Sequence, residues 1–338
     1  MEGRGFCPVY LLLDDADVEY AIAGSGRIER LPLARFSRGP LFLLVLFLQA
    51  LYVRIKYRRE RYFLSFLHRG NLLNGLSSIF TSRRVVISER SVFSKSYFGG
   101  KKALMELLLR LLFKRVDCCI AISLVVKEEL ERIFGVSSQV IKVVNNPVDV
   151  ELFRPRLPRV ARGPRKFCYV GRVIRSKRLE LVLSLFEMLL AHYPDSSLTI
   201  AGGGADLERI KRLASSKDMS GNVTFLGQID DVADLMASSD YLIFMSEYES
   251  FGNVALEALS CALPVICSDG LLSFSEIFGE TTQLFCAIDV GFSRDQVNKV
   301  IDFIDCFDME LYLSEREGRL PIFSRDVAYA NYLEQVLI

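Results

Sequence analysis

Short strand-like runs alternate with helical stretches from residue 165 onward, and this rhythm constrains the fold more than any other feature of the chain. Parallel neighbouring strands need a crossover connection, so repeated strand–helix–strand units build a parallel sheet with helices on both faces. The predicted strands are residues 166–170, 197–200, 222–225, 241–244, 264–267 and 283–286. The predicted helices are residues 179–193, 206–213, 232–237, 254–260 and 296–304. We therefore predict a doubly wound α/β domain.

The first half of the chain is less regular but has the same character. Its strand-like runs are residues 9–13, 62–66, 84–88, 118–122 and 139–144. Three prolines and a glycine within residues 154–164 disfavour regular structure there. The predicted organisation is an N-terminal α/β domain at 1–150, a linker at 151–164, a C-terminal domain at 165–325, and a terminal helix at 326–338 that packs back on the N-terminal domain.

The composition of the chain, with its cysteine spacing and its low histidine content, argues against several classes of protein. The chain has 338 residues, 51% of them apolar and 25% charged, which excludes a disordered chain. None of the eight cysteines is in Cys-x-x-Cys spacing and there are only two histidines, so we expect reduced core thiols in a cytoplasmic protein and no metal site.

Positive charge is concentrated in one part of the chain. The net charge is +1, but residues 51–115 hold 15 basic and 3 acidic side chains. Such a surface attracts anionic lipid, nucleic acid or a phosphorylated substrate. Because no known nucleic-acid-binding module is present, we do not expect nucleic acid as a partner.

Two apolar segments lie in or beside this basic region. Residues 41–53 are too short for a bilayer span, which needs ~20 apolar residues, and the charged residues near the start of the chain argue against a signal peptide. Residues 101–115 have the pattern of an amphipathic helix with a basic polar face. Both segments fit core helices with solvated basic edges, and the basic edges also fit peripheral attachment to an anionic membrane surface.

Ligands of a doubly wound sheet bind beyond the carboxyl ends of its strands, and two loops there have unusual sequences. Residues 171–178 place Gly171 and four cationic side chains between a strand and a helix, which suits a phosphate but is also typical of a solvated loop. Residues 201–205, with three successive glycines, leave the main chain and helix amides accessible, and a simple tight turn explains them equally well.

A third loop, at residues 246–262, is the most informative. Gly252 and Asn253 suggest a helix start, with Asn253 as the cap, so that the first amides point into the crevice at the strand ends. Glu249 precedes this helix and Glu257 lies about one turn inside it, so we expect both carboxylates to face that crevice. Carboxylates beside a phosphate site are suited to accept hydrogen bonds from sugar or ribose hydroxyls. The alternative for either residue alone is an exposed carboxylate on a helix edge.

Glu249 and Glu257, with Ser-Phe-Gly after the first and Ala-Leu after the second, resemble the Glu-x7-Glu signature of glycosyltransferase family 4. Members are retaining enzymes of GT-B fold, with two doubly wound Rossmann-like domains facing a cleft, and they use nucleotide-diphosphate sugars. Further matching segments occur in the family's order, at residues 122–123, 146–149, 169–172 with Lys177, 198–202, 223–227 and 263–267.

The resemblance implies a role for each matching residue. Arg172 and Lys177 would hold the donor diphosphate, with Gly171 beside them, and Glu249 would bind the donor sugar. Glu257 would bind the ribose hydroxyls. The donor would also meet the region of Leu226 and Gly227 near the base, and the amides of Phe251, Gly252, Asn253 and Val254. The family needs no metal or cofactor and no strong protein base, because the leaving diphosphate is thought to take the acceptor proton.

The N-terminal half departs from the family pattern. Members begin with a strand, a glycine-rich loop and a helix, and this first βα unit has no counterpart here, so we expect a domain that lacks it. Ser88, Glu89 and Arg90 resemble the acceptor-side segment of members that assemble surface polysaccharides, and His68 is a second candidate that also fits a histidine at the edge of the core. His192 we interpret as structural.

The resulting hypothesis is a hexose or N-acetylhexosamine transferase that acts on a glycan or lipid-linked acceptor in the synthesis of lipopolysaccharide or capsule. It would be a bacterial, cytoplasmic enzyme, peripheral on the inner face of the membrane. A sugar transferase with a soluble acceptor stays open. So does a truncated, non-catalytic protein that binds a nucleotide sugar or a partner.

Overall fold

The computed structural model describes residues 9–12, 27–36, 41–96, 99–155, 164–217, 219, 221–279 and 284–337. It divides into two compact units. The first unit runs to Ile122 and also includes Val126–Val143 and the chain end from Tyr332, while the second comprises Ser123–Val125 and Val144–Asn331. The division at Val143 falls a few residues before the predicted boundary at 150. Most of the predicted linker, residues 156–163, lies outside the described residues.

The first unit contains a four-stranded parallel sheet in the sequential order β3-β4-β5-β6. A separate parallel pair is formed by β1 and β2. The strands are β1 Val9–Leu12, β2 Arg27–Arg30, β3 Tyr62–Phe66, β4 Arg84–Glu89, β5 Cys118–Ala121 and β6 Ile141–Val143. The helices are α1 Phe42–Lys56, α2 Leu67–Ser77, α3 Phe93–Ser96, α4 Gly99–Phe113 and α5 Leu124–Phe134. The expected lack of a first βα unit stays a prediction, since residues 1–8 and 13–26 lie outside the described residues.

Helix α2 lies between α1 and α4 and packs against both. A Cβ on Gly75 of α2 would lie 2.0 Å from Cδ1 of Leu112 on α4, so a larger residue there would displace the Leu112 side chain. Asn74 fixes α2 on the sheet, because its amide donates to the carbonyls of Phe63 (3.2 Å) and Val86 (3.0 Å). On the opposite face of the sheet, Ser88 Oγ of β4 lies 3.1 Å from Oη of Tyr332, in the part of the last helix, α13 Arg325–Leu337, that belongs to this unit.

The second unit contains a six-stranded parallel sheet in the order β12-β11-β10-β7-β8-β9. Its strands are β7 Lys166–Val170, β8 Ser197–Ala201, β9 Val223–Gly227, β10 Tyr241–Phe244, β11 Val265–Ser268 and β12 Phe285–Ile288. Its helices are α6 Leu179–Leu190, α7 Leu207–Ser216, α8 Val232–Ser238, α9 Asn253–Ser260, α10 Leu272–Phe278, α11 Arg294–Asp305 and α12 Met309–Arg319. Strands β10 and β11 are buried along their full length, as strands covered by helices on both faces must be.

The order of the strands reverses between β7 and β10. From β7 the chain winds outward through β8 and β9, then returns to place β10 on the other side of β7 and continues to β12. Loops that leave two adjacent strands in opposite directions open a crevice at their carboxyl ends, where doubly wound proteins bind ligands. The candidate site of the second unit is therefore expected at the ends of β7 and β10.

The doubly wound α/β prediction is confirmed, and most predicted elements occur within two residues of their expected bounds. Strand β12 begins at Phe285 rather than 283, which lies outside the described residues, and β6 is shorter than predicted because residues 137–140 form a turn before it. In the second unit, helices α10 and α12 were not predicted. Six of the seven cysteines in the described part are buried free thiols, as expected of core cysteines. No helix in that part is both long and apolar enough to cross a bilayer.

Candidate functional site

Two loops meet at the reversal point of the second sheet. The loop after β7 forms a short 3-10 helix at Arg175–Lys177, and the loop after β10 runs to α9. The amide of Glu247 donates to the carbonyl of Ser176 (2.8 Å), which ties the two loops together. The crevice thus has a cationic wall from one loop and an acidic wall from the other.

Lys177 and Glu249 form an ion pair across this crevice. The Lys177 ammonium donates to Glu249 Oε1, and the two side chains are only 14% and 13% exposed. The ammonium also lies 5.3 Å from the centre of the Phe244 ring, which adds a cation–π contact at the end of β10. An ammonium has three donors, and Glu249 is its one hydrogen-bond partner among the described residues, so donors remain for an anionic ligand.

The glycines after β7 and β8 let two loops touch main chain to main chain. Val173 donates to the carbonyl of Gly203 (2.8 Å), and a Cβ on Gly202 would lie 1.8 Å from the carbonyl oxygen of Gly171. Gly204 is equally restricted, since its Cβ would lie 2.3 Å from the Val173 oxygen. Gly171, Gly202 and Gly204 all have positive φ. These glycines therefore help to fix the position of the cationic loop. The sequence suggested only that they give a ligand access to the main chain.

Helix α9 starts at Asn253, one residue before its predicted bound at 254, and its cap differs from the predicted one. The cap is Gly252 in the left-handed region (φ 98°), without a side-chain hydrogen bond, and Asn253 is the first helical residue. A Cβ on Gly252 would lie 2.6 Å from the Phe274 ring, so both conformation and space require glycine. The predicted capping role of Asn253 is wrong, because its side-chain oxygen instead accepts a hydrogen bond from the buried Asn146 (2.7 Å).

Glu257 lines a cavity of about 300 Å³ beside α9. The cavity is also lined by Asn253, Asp149 and Arg325, and Arg325 forms an ion pair with Asp149. Glu257 has no ion-pair or side-chain hydrogen-bond partner within the described part of the chain, and burial raises its pKa from 4.5 to about 7. A half-buried carboxylate with unused acceptors beside a cavity is suited to receive hydroxyl groups. Glu249 and Glu257 therefore have different surroundings.

The remaining predicted donor residues lie at the same carboxyl edge of the sheet. Arg172 follows β7 and is exposed, with no ion-pair partner among the described side chains, while its carbonyl accepts from the buried Tyr169 hydroxyl (2.9 Å). Leu226 and Gly227 end β9, where Leu226 is exposed and the Gly227 carbonyl accepts from Gly202 (2.7 Å).

Asn146 and Ser123 also support the site, and sequence reasoning gave neither a role of its own. Asn146 bonds the first residue of α9, and Ser123 Oγ donates to the carbonyl of Ser250 in the loop before it. Both residues fall in segments that match the family, at 146–149 and 122–123, and that was the one signal available. Their partners are more than a hundred positions away along the chain, so no local pattern reveals these bonds.

The predicted acceptor-side residues of the first unit form a mostly buried cluster. His68 Nε2 lies 3.2 Å from Glu89 Oε2, and the other Glu89 oxygen accepts from Asn71 (2.7 Å). Ser88 points to the opposite face and meets Tyr332, whose hydroxyl also accepts from Arg90 (3.2 Å). Only Arg90 is partly exposed, so the structure brings the four residues to one strand end and encloses three of them. His68 is thus a histidine at the edge of the core.

His192 packs against Tyr193, with ring centres 6.5 Å apart, at the end of α6 and away from these clusters. Within the described residues, no three His, Cys, Asp or Glu side chains are placed to hold a metal ion together.

Two family models match the chain in succession. Residues 8–152 match Glycosyltransferase Family 4, and residues 156–316 match Glycosyl transferases group 1. A relative from Campylobacter jejuni, N-acetylgalactosamine-N,N'-diacetylbacillosaminyl-diphospho-undecaprenol 4-alpha-N-acetylgalactosaminyltransferase, is 25% identical over 283 residues, which cover 80% of this chain and 75% of the relative. Glycogen synthase of Mycobacterium tuberculosis is 30% identical over 196 residues, 56% of this chain, and the match spans about half, 47%, of that relative.

Solved structures show the same fold at low identity. Anabaena HepE in complex with UDP-glucose has a TM-score of 0.72 at 17% identity, and the match covers 92% of this chain and 85% of that one. The apo form of the lipopolysaccharide outer core galactosyltransferase WaaB has a TM-score of 0.71 at 18% identity, with coverage of 92% and 84%. The fold is the GT-B fold, which confirms the expectation of two Rossmann-like domains.

Proposed function

We propose that this chain, which belongs to glycosyltransferase family 4, moves a hexose or N-acetylhexosamine from a nucleotide-diphosphate sugar to a glycan or lipid-linked acceptor, with retention at the anomeric carbon. The observation that carries the proposal is the crevice between β7 and β10. It combines a cationic loop, a carboxylate held by Lys177 and the N-terminus of α9 at the edge where doubly wound sheets bind ligands.

Each wall of the crevice suits one part of such a donor. Arg172 and Lys177 offer cationic donors to a diphosphate, and the amides of Phe251 to Val254 lie at the positive end of α9. Glu249 is fixed by Lys177 and has a second oxygen for a sugar hydroxyl. Glu257, with its unused acceptors and adjoining cavity, is assigned to the ribose, and Leu226 and Gly227 to the region of the base.

The reaction we propose depends on positioning and on charge. The cations and the α9 amides stabilise negative charge as it develops on the leaving diphosphate, and that diphosphate takes the proton of the acceptor hydroxyl. On this route Lys177 keeps Glu249 oriented, and neither a metal nor another cofactor takes part.

Surface-polysaccharide synthesis is the proposed setting. The Campylobacter relative is named for a diphospho-undecaprenol acceptor and WaaB for the lipopolysaccharide outer core, which supports a lipid-linked or glycan acceptor here. The basic segment at residues 51–115 supports work at an anionic membrane surface. We accordingly place the protein in bacteria, on the inner face of the cell membrane, in the synthesis of lipopolysaccharide or capsule.

Calorimetric titration of the full chain with a panel of nucleoside diphosphates and their sugars tests the donor site. One base should bind selectively, and Lys177→Ala should weaken that binding ~10–100-fold, because a charge-assisted hydrogen bond is lost. Lys211→Ala is the matched control, since Lys211 is an exposed lysine of the same unit that pairs with Glu208. If Lys177→Ala and Glu257→Ala both bind normally, the assigned site is wrong.

Transfer is tested next, by release of nucleoside diphosphate in the presence of lipid-linked and soluble acceptors. Donor-dependent glycosylation with retained anomeric configuration is the expected result. Selective donor binding with no transfer to any acceptor would instead support the non-catalytic, nucleotide-sugar-binding alternative.

A further inference from the structure

Helix α1 is apolar on the face that the fold does not use. Its buried face comprises Val45, Leu46, Gln49, Ala50 and Val53. The other face exposes Leu43, Leu44, Phe47, Leu48, Leu51 and Ile55, with Phe47 59% and Ile55 64% accessible. A helix of a globular protein normally carries polar residues on its solvent side. The outer face of α1 therefore has the composition of a buried surface without being buried.

Helix α4 extends this exposed surface on the other side of α2. Met105, Leu109 and Leu112 of α4 are buried, while Leu104, Leu107 and Leu111 are exposed. Because α1 and α4 both pack on the more deeply buried α2, their outer faces form the outer layer of the same unit. Exposed apolar surface on two helices that flank a third is typical of an interaction site rather than of scattered surface residues.

The charges around this surface indicate what covers it. Arg58, Arg59 and Arg61 follow α1 at once, are exposed, and have no carboxylate partner among the described side chains. Acidic groups near this surface are few among the described residues: Glu29 pairs with Lys56, Glu106 pairs with Arg110, and Glu89 is buried. Glu60 is exposed but stands among three arginines, so positive charge is in excess there. An apolar helix face flanked by unpaired cations matches the interface of an anionic bilayer, where apolar side chains enter the acyl boundary and cations meet headgroups.

We propose that this surface, defined by Leu44, Phe47, Leu51 and Ile55 of α1 with Leu107 and Leu111 of α4, docks on an anionic phospholipid bilayer. The helix α1, about 22 Å long at 1.5 Å per residue, lies in the plane of the interface rather than across it. The biological purpose of this docking rests on the proposed function, because it would bring a lipid-linked acceptor to the enzyme. The docking itself requires neither donor nor acceptor.

Flotation of the full chain with vesicles tests the proposal. Vesicles of phosphatidylcholine with 30% phosphatidylglycerol should carry the protein upward at 0.1 M NaCl, and pure phosphatidylcholine vesicles should carry much less. At 0.5 M NaCl, where charge is strongly screened, a measurable part of the binding should persist through the apolar contacts. The triple variant Leu44→Gln, Phe47→Gln and Leu51→Gln should bind on the order of 100-fold more weakly and lose the salt-resistant part.

Matched substitutions test whether vesicle binding depends on this face of α1 or on exposed apolar residues in general. Leu272→Gln, Leu311→Gln and Ile322→Gln replace three equally exposed apolar residues of the other unit and should leave vesicle binding unchanged. Arg58→Gln, Arg59→Gln and Arg61→Gln should reduce binding to anionic vesicles at 0.1 M NaCl but retain the salt-resistant part. All variants change solvent-facing side chains, and circular dichroism verifies that each is folded.

Two results would overturn the proposal. One is binding of the α1 triple variant equal to that of the unmodified chain. The other is absence of vesicle binding together with a lipid-free dimer that the α1 substitutions convert to monomer, which would assign the face to a second copy of the chain. Vesicle binding is measured without nucleotide sugar, so the two experiments are independent. Absence of vesicle binding would not count against the donor site, and absence of donor binding would not count against membrane docking.

Discussion

The raised pKa of Glu257 makes a quantitative prediction about stability. Burial without a compensating partner raises the pKa from 4.5 to about 7, so the folded chain holds a proton on Glu257 that the unfolded chain releases. Between pH 4.5 and pH 7 the folded state therefore binds more protons, and its stability falls as pH rises. Above pH 7 both states are ionised, and the accumulated loss is constant.

The size of this loss follows from the shift. Each unit of pKa corresponds to 1.36 kcal/mol, so the ionised Glu257 costs about 3 kcal/mol of folding free energy above pH 7. Glu257→Gln keeps the shape of the side chain and removes the ionisation. The variant should match the unmodified chain near pH 4 and exceed its stability by up to about 3 kcal/mol at pH 8. For a unit of this size, that difference raises Tm by ~6–12 °C.

Thermal melting of the two proteins from pH 4 to pH 8.5 measures the effect, and the difference between them removes the contributions of all other carboxylates. Titration with a nucleoside diphosphate tests whether ionisation of Glu257 also affects ligand binding. Affinity of the unmodified chain should rise ~10-fold from pH 6 to pH 8 as Glu257 ionises, relative to Glu257→Gln. A difference in Tm that is independent of pH would refute the reasoning, because a hydrogen bond or packing effect of Gln would not follow the titration of Glu257.

Three further predictions concern close approach and helix ends. Gly202→Ala should lower the free energy of unfolding of the second unit by at least ~2 kcal/mol in urea, because the new Cβ meets main chain and φ is positive. Gly203→Ala is the control: this position has open space and ordinary φ, so the free energy of unfolding should change by less than ~0.5 kcal/mol. Gly252→Ala should weaken nucleoside diphosphate binding at least ~10-fold by displacing the start of α9 against Phe274, measured by calorimetry. Arg83→Leu should lower the urea midpoint of the first unit by the equivalent of ~2–3 kcal/mol. The reason is that the buried guanidinium donates hydrogen bonds to the carbonyls of Ser77, Arg54 and Tyr57. Arg61→Leu, which changes an exposed arginine, should leave the midpoint unchanged.

Much of the fold and the location of the site followed from sequence because local chemistry determines them. The β-branched and aromatic runs at 166–170 and 241–244 gave strands with the expected bounds. A glycine followed by an apolar helical pattern predicted the start of α9 to within one residue of Asn253. Since all strands are parallel, the loops after β7 and β10 had to emerge at one edge, so the cationic and acidic segments could be expected to meet there.

Contacts between distant segments could not be predicted, because no local rule fixes them. The bond from Asn146 to Asn253 replaced the capping role that Asn253 has by residue type alone. Tyr332, at the far end of the chain, covers Ser88, which the sequence suggested as an acceptor-side residue. The exposed face of α1 could not be predicted either, since a helix that is apolar all round indicates burial, whereas one face of α1 is exposed in the structure.

Lys177 joins the two walls of the crevice, and this bears on how the proposed donor would enter. The charge of Lys177 is balanced by that of Glu249, and both side chains are largely shielded from water. A diphosphate does not need to break this pair, because the ammonium has further donors and the phosphate adds its own negative charge beside them. Glu249 would then remain oriented by Lys177 while its free oxygen meets the sugar. Loss of Lys177 would thus weaken the binding of the sugar and of the diphosphate together. A nucleoside monophosphate reaches neither group fully, so Lys177→Ala should weaken its binding less than that of the diphosphate sugar.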